Sequence, residues 1–323
     1  MIFLQILAGF AFLVAGGELL VRNSVAAAGR LGVSPLLIGL TLVGFGTSTP
    51  ELVTSLNAAL SGAPGIAVGN VVGSNIANVL LILGLTSAIS PIVSPASGFR
   101  RDATALVVSA LAASVFILWG EIGRAAGTAM LLALAFYLLR SYQAETVLPD
   151  SPSPTTLQTL EEGADLRAKP NLPIWVLVLL SLLGILVTIV GADLMVEGAV
   201  SLARVAGMSE SLIGLTIVAV GTSLPEMVTS VMAAIRREPG IALGNIIGSN
   251  IFNLFGILGL TALVSPIQVP ADIGPMDVWA LLLATASLIW FGLGGWNIRR
   301  RDGVAMLGVY TAYVAAASLA GTA

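Results

Sequence analysis

Two glutamates, Glu51 and Glu226, stand in the middle of long apolar stretches. The first stretch runs from Leu36 to Asn78 and reads LLIGLTLVGFGTSTPELVTSLNAALSGAPGIAVGNVVGSNIAN. The second ends at Asn253 and reads SLIGLTIVAVGTSLPEMVTSVMAAIRREPGIALGNIIGSNIFN. A carboxylate inside an apolar span is costly and by default marks an ion or proton site. Around Glu51 lie the hydroxyls of Thr47, Ser48 and Ser74 and the amide of Asn78; around Glu226 lie Thr222, Ser223, Ser249 and Asn253. Gly44, Gly46 and Pro50 weaken the helix just ahead of Glu51, because proline lacks an N–H and clashes with the preceding turn. The break is expected to free carbonyls near Val43 and Gly44, which is tolerated at membrane depth where backbone lines a cavity. Every candidate ligand is an oxygen donor, and the chain has no Cys and no His. Such a set selects hard cations, Na+ or Ca2+, and its mixed, flexible character suits Ca2+ better than the tight octahedron of Mg2+.

Each piece alone has a plainer explanation. A Ser or Thr in a membrane helix usually bonds its own backbone, and GxxxG spacing usually serves packing. The conjunction, present twice, is what points to an ion site.

Those residues need elements to hold them. Of 323 residues, 57% are hydrophobic and only 10% charged, against about 25% charged in soluble proteins. The chain therefore reads as an all-α membrane protein, with apolar runs near the ~20 residues that cross a bilayer. Ten spans are expected, roughly at 2–28, 35–60, 66–90, 103–120, 124–143, 173–203, 211–235, 241–264, 276–293 and 303–321. The N-terminal stretch lacks a basic start and a clean cleavage site, so it reads as a true first span. No alternating ten-residue pattern of a β-barrel is present. The net charge of −3 gives no basic groove for nucleic acid.

The two halves are copies at a fixed offset. Glu226 follows Glu51 by 175 positions, and so do Asn253 after Asn78, Gly191 after Gly16 and Pro266 after Pro91. Five spans per copy is an odd number, so successive copies must lie in the membrane in opposite orientations, the inverted repeat of secondary transporters. The expected organisation is a first five-helix repeat over 1–143, a polar cytoplasmic linker over 144–172 and a second, inverted repeat over 173–323. With both termini placed outside, all of the 14 Lys and Arg except Arg124 and Arg204 fall in inner loops, as the positive-inside bias requires. Glu18 and Asp193 correspond across the repeat and read as structural acids near helix ends.

GTSTPE at Gly46–Glu51 and GTSLPE at Gly221–Glu226, followed by GNVVGSN and GNIIGSN, resemble the two α-repeats of sodium/calcium exchangers in the calcium/cation antiporter superfamily. The resemblance extends over all ten spans. It implies a carrier that exchanges Na+ for Ca2+ by alternating access in a prokaryotic inner membrane. The second, third, seventh and eighth spans would form the sites, and the first and sixth would slide. By position it implies Glu51 and Glu226 as central Ca2+ ligands, completed by Thr47, Ser48, Ser74, Thr222, Ser223 and Ser249. The carbonyls of Gly44 and Ala219 would take flanking Na+, and Asn78 and Asn253 would line the centre. Departures are Thr49 for the usual Leu, Ala77 for the usual Phe, and Asn253 where the potassium-dependent branch carries Asp. The last argues against potassium co-transport, and the exchange is expected to be K+-independent and electrogenic. No cofactor and no obligate protein partner are expected; Ca2+ and Na+ are substrates.

The alternative is a proton-coupled Ca2+ or cation antiporter, although the GNxxE motif of that branch is missing here. An intramembrane aspartyl protease wants Tyr-Asp and Gly-x-Gly-Asp contexts, and neither occurs. A passive cation channel usually builds its filter from rings of subunits, whereas this duplication builds a site within one chain.

Overall fold

A computed structural model describes residues 2–93, 99–147, 172–206, 219–270, 275–294 and 297–320. Helices dominate: α1 (Ile2–Leu31), α2 (Pro35–Thr47), α3 (Thr49–Leu60), α4 (Pro64–Ile89), α5 (Phe99–Trp119) and α6 (Arg124–Val147). After the linker come α7 (Ile174–Val205), α8 (Leu224–Ile235), α9 (Pro239–Val264), α10 (Pro275–Leu293) and α11 (Arg300–Ala320). Among the described residues seven helices are long and apolar enough to cross a membrane, and eight if the bent pair α2–α3 is one span. The chain is an all-α, multi-pass membrane protein.

Two of the predicted boundaries move. The first helix continues to Leu31, and α6 runs to Val147, four residues into the stretch read as linker. The rest of that linker, 148–171, lies outside the described residues, as does 207–218, the first part of the expected span 211–235. The all-helical reading also missed four two-residue strands. β1 (Ile92–Val93) pairs antiparallel with β4 (Asn297–Ile298), and β2 (Glu121–Ile122) with β3 (Ile267–Gln268). Each ribbon joins one strand from each half, so the ends of the bundle are stitched across the repeat.

The centre is built from α4 and α9, the most deeply buried of the long helices. Their apolar faces, with Val68, Val71, Val72 and Ile76 on one and Leu243, Ile246, Ile247 and Ile251 on the other, share one core cluster. Glycine lets α2 lie directly on α9. A Cβ at Gly244 would sit 2.4 Å from the Leu36 carbonyl oxygen, and one at Gly248 2.3 Å from that of Leu40. The expectation that small residues admit a neighbouring helix therefore holds in the second copy. Gly69 and Gly73, their counterparts, meet nothing within 4 Å among the described residues. Positions 211–215, which correspond to Leu36–Leu40, lie outside them. Phe45 and Phe252 add a stacked ring pair at 4.3 Å between α2 and α9.

The long helices α1 and α7 pack antiparallel on each other, and again glycine sets the distance. A Cβ at Gly9 would be 2.6 Å from the Met195 amide nitrogen, and one at Gly184 2.6 Å from that of Leu20. The pair leaves Phe3, Leu4, Leu7, Trp175, Leu179 and Leu186 exposed, as lipid-facing helices require.

Candidate ion site

Both glutamates sit at breaks in helices. Helix α2 stops at Ser48, whose φ of −81° and ψ of 11° depart from helical geometry, and α3 restarts at an angle of 45° with Pro50 in its first turn. Proline fits there because an N–H in the first turn would go unused. Glu51 lies in that same turn. In the second half a short turn, Ala219–Gly221, ends at Thr222 and Ser223, and α8 begins with Pro225 and Glu226. A carboxylate in the first turn of a helix faces the positive end of the macrodipole and unused N–H groups. This explains how two acids that are each only 1% exposed are tolerated with no salt bridge to either among the described residues.

The two motifs meet, and they meet crosswise. Ser48 Oγ donates to Glu226 Oε1 at 2.8 Å, and Ser223 Oγ donates to Glu51 Oε1 at 3.3 Å. Each half thus holds the other half's carboxylate. The remaining oxygens, Glu51 Oε2 and Glu226 Oε2, are buried without a hydrogen-bond partner among the described residues. An ionised oxygen buried in that way is expensive, and a hard cation is the partner that suits it.

Helices α4 and α9 brace the breaks. Asn70 Nδ2 donates to the Glu51 carbonyl at 3.1 Å and to Ser55 Oγ at 2.9 Å. Asn245 Nδ2 repeats this with the Glu226 carbonyl at 3.1 Å and Ser230 Oγ at 2.9 Å. Thr47 Oγ1 donates across the halves to Asn245 Oδ1 at 3.1 Å. Neither Asn70 nor Asn245 was singled out as a site residue from the sequence. The signal was present, since 245 is 175 beyond 70 and 230 is 175 beyond 55, but GxxxG spacing drew attention to packing instead.

The other expected residues distribute as follows. Ser249 Oγ donates to the Gly44 carbonyl at 3.1 Å. That carbonyl is not free, which corrects the expectation from sequence: it also accepts the Ser48 N–H at 3.2 Å, and the Thr47 hydroxyl lies 3.4 Å away as an alternative donor. Pro50 withholds the N–H that would serve Gly46, four residues back, and leaves Gly44 in its helix. Ser74 is buried on α4, one turn from Asn70 and one from Asn78. Asn78 Nδ2 donates to Asn250 Oδ1 at 3.2 Å, whereas Asn253, fully buried, has no partner for either amide atom among the described residues. Asn78 and Asn253 lie in π-helical turns, Asn78–Leu83 and Phe252–Ile257, and a third π turn, Gly39–Val43, precedes the first break. Such turns rotate the side chains that follow and recur at functional sites. Thr222 is half-buried at the second break, and Ala219 opens the short turn before it.

Among the described residues no group of three or more His, Cys, Asp or Glu could hold a metal. The centre is two acids in a shell of hydroxyls, amides and carbonyls. Glu18 is engaged elsewhere, in a two-pronged ion pair with Arg236, and Glu197 accepts from Gln5 at 2.9 Å. Both fit structural roles at the margins of the bundle.

Residues 1–143 and 176–319 match the family described as "Sodium/calcium exchanger protein". The chain belongs to the sodium/calcium exchanger family. It is 35% identical to the sodium/calcium exchanger MaX1 of Methanosarcina acetivorans over 97% of both chains. It is also 35% identical to the inner membrane protein YrbG of Escherichia coli K12, over 88% of this chain and 87% of that one. The structure of the sodium-calcium exchanger NCX_Mj soaked with 10 mM Na+ and zero Ca2+ superposes with a TM-score of 0.79 at 31% identity, covering 98% of this chain and 99% of that one. The same exchanger soaked with Na+ and Sr2+ gives 0.80. Membership of this family makes the crosswise pair of acids part of an exchanger.

Proposed function

We propose that this exchanger carries Na+ and Ca2+ in opposite directions by alternating access, electrogenically and without K+, in a prokaryotic inner membrane. The observation that carries the reading is the pair of buried carboxylates, each held through one oxygen by a serine of the opposite half and each presenting the other oxygen unpartnered. Ca2+ takes six to eight oxygens at about 2.3–2.6 Å. The two acids neutralise one Ca2+ and leave net positive charge when several Na+ replace it. Thr47, Ser48, Ser74, Thr222, Ser223, Ser249, Asn78, Asn253 and the carbonyl of Ala219 supply the neutral oxygens around Glu51 and Glu226, and the Gly44 carbonyl joins them when the Ser249 hydroxyl turns from it to the cation. The hydroxyl-to-acceptor separations near 3 Å suit this, because two oxygens so spaced can both reach one cation.

The architecture we assign is ten spans in two inverted five-helix repeats, 1–143 and 173–323, joined by a cytoplasmic linker over 144–172, with both termini outside. Support comes from the contacts repeated at the 175-residue offset: Asn70 with Ser55 against Asn245 with Ser230, Ser48 with Glu226 against Ser223 with Glu51. The two ribbons, each drawn from both halves, fit the same pseudo-symmetry. The tight α1–α7 pair, lying beside the site helices, is suited to the sliding element. Moving one net charge across 100 mV adds about 2.3 kcal/mol to the driving force.

The test is Ca2+ uptake into proteoliposomes under an imposed Na+ gradient, compared with an imposed pH gradient. Uptake driven by Na+ and accelerated by an inside-negative or inside-positive potential according to its direction is the expected result. Uptake driven by the pH gradient alone, without Na+, would replace this reading with proton coupling.

A further inference from the structure

A second feature lies away from the ions, at the face to which the charge distribution assigns the inner leaflet. Arg237, in the turn between α8 and α9, has a φ of +58° and is the one non-glycine residue with positive φ among the described residues. L-residues adopt this conformation at a cost, and glycine adopts it freely. At the equivalent position of the first half, 175 residues earlier, the chain uses Gly62, with a φ of +76°. The same turn is therefore built twice, once with the unstrained residue and once with a strained cation. A general need for positive charge on the inner side would be met by an arginine anywhere in the loop. Strain retained at one position points to a use for that side chain there.

Arg237 lines a cavity of about 230 Å³ with Ser90, Pro91, Ile92, Val93 and Pro239. A second cation borders it. The Arg300 guanidinium donates to the Ile89 carbonyl at 3.3 Å, next to the lining Ser90. The pairing of Val93 with Asn297 brings the Arg299–Arg301 run alongside the same wall. Asp302 is already occupied by the Arg299 N–H and by Arg301, and Glu238 has interactions of its own. The rim is apolar: Ile89, Val93 and Ile235 are 43%, 62% and 54% exposed. A cavity with one cationic side chain in a largely apolar lining, flanked by exposed aliphatic side chains, matches a phosphodiester headgroup with acyl chains beside it, and a free anion would leave that rim without a role.

We propose that the cavity at Arg237 is a headgroup site for an anionic phospholipid of the inner leaflet. Basic pockets between spans on the cytoplasmic side bind such headgroups. The site is independent of which ions the exchanger carries.

The test uses the full chain in nanodiscs of phosphatidylcholine, of phosphatidylcholine with phosphatidylglycerol, and of phosphatidylcholine with added inorganic phosphate, with thermal unfolding as the readout. Phosphatidylglycerol should raise Tm of the wild type, and inorganic phosphate should not. Arg237→Gly should unfold about 2 °C higher than wild type in phosphatidylcholine, because the strain is relieved, and should lose the phosphatidylglycerol increment. Arg140→Gln, which removes an exposed arginine in the last two turns of α6, should keep it. Should Arg237→Gly fail to fold, Arg237→Asn, which also tolerates the left-handed region, must show the same loss. An increment that survives in the Arg237 variants overturns the proposal. So does an increment reproduced by inorganic phosphate, an equal loss in Arg140→Gln, or an Arg237→Gly protein no more stable than wild type in phosphatidylcholine.

Discussion

Replacing Asn245 by alanine should cost far more than the same change at Asn70, although the two amides make matching bonds. Each donates to the carbonyl of its glutamate at 3.1 Å and to a serine hydroxyl at 2.9 Å. Asn245 is fully buried and also accepts the Thr47 hydroxyl at 3.1 Å, while Asn70 is half-buried. Alanine at 245 strands up to three polar groups away from water, and each orphaned group costs about 1–3 kcal/mol. Relaxation and partial re-pairing reduce the sum, so a loss of about 3–5 kcal/mol is expected. At 70 the side chain is half-buried and only two groups lose their donor, so about 1–2 kcal/mol is expected. Thermal unfolding of the purified variants in one detergent measures the difference. Transport separates the two further, because Asn245 fixes the backbone of Glu226 and also engages Thr47 of the other half. Na+-driven Ca2+ uptake should need a higher Ca2+ concentration in Asn245→Ala than in Asn70→Ala. Equal destabilisation by the two variants, or a larger loss at Asn70, would refute the argument from burial.

Two further outcomes follow from the geometry. Ser48→Ala removes a hydroxyl 2.8 Å from Glu226 and Ser223→Ala one 3.3 Å from Glu51; hydrogen bonds to charged groups are worth about 1.5–3 kcal/mol, so Ser48→Ala should reduce Ca2+ affinity about tenfold or more and Ser223→Ala less, measured by isothermal titration. Gly248→Ala places a methyl 2.3 Å from the Leu40 carbonyl oxygen, which forces α2 off α9 at about 1–3 kcal/mol, and should lower both Tm and uptake, whereas alanine at Gly29, which faces open space, should lower neither.

The sequence made the ingredients of the site legible and left their connections hidden. Glu51 and Glu226 announced themselves as acids in apolar spans, and the constant offset tied their neighbours together. Ser48 and Glu51 share one motif, so nothing in the local pattern says that Ser48 reaches the glutamate 178 residues away. That pairing is a property of two broken helices meeting tip to tip. Asn70 and Asn245 were hidden because an asparagine between glycines in an apolar helix has the signature of close packing. Proline marked the break correctly, but the carbonyl it deprives is set by hydrogen-bond registry, and Gly44 kept its partner. The two-residue strands carry no periodicity to detect, and the overrun of α6 to Val147 reflects polar residues that continue a helix once it leaves the apolar layer. The strained turn at Arg237 was invisible until its φ could be set beside that of Gly62.

Exchange at this site requires the two carboxylates to act together on one divalent cation. The most direct test is 45Ca2+ uptake by proteoliposomes under a Na+ gradient with wild type, Glu51→Gln and Glu226→Gln, alongside Ca2+ titration of the same preparations. Both single variants, which keep the shape of the side chain and remove its charge, should fold with wild-type Tm or above, bind no Ca2+ in the range where the wild type saturates, and carry none. Na+-driven uptake persisting undiminished in either variant would contradict the claim that the buried pair is the site of exchange.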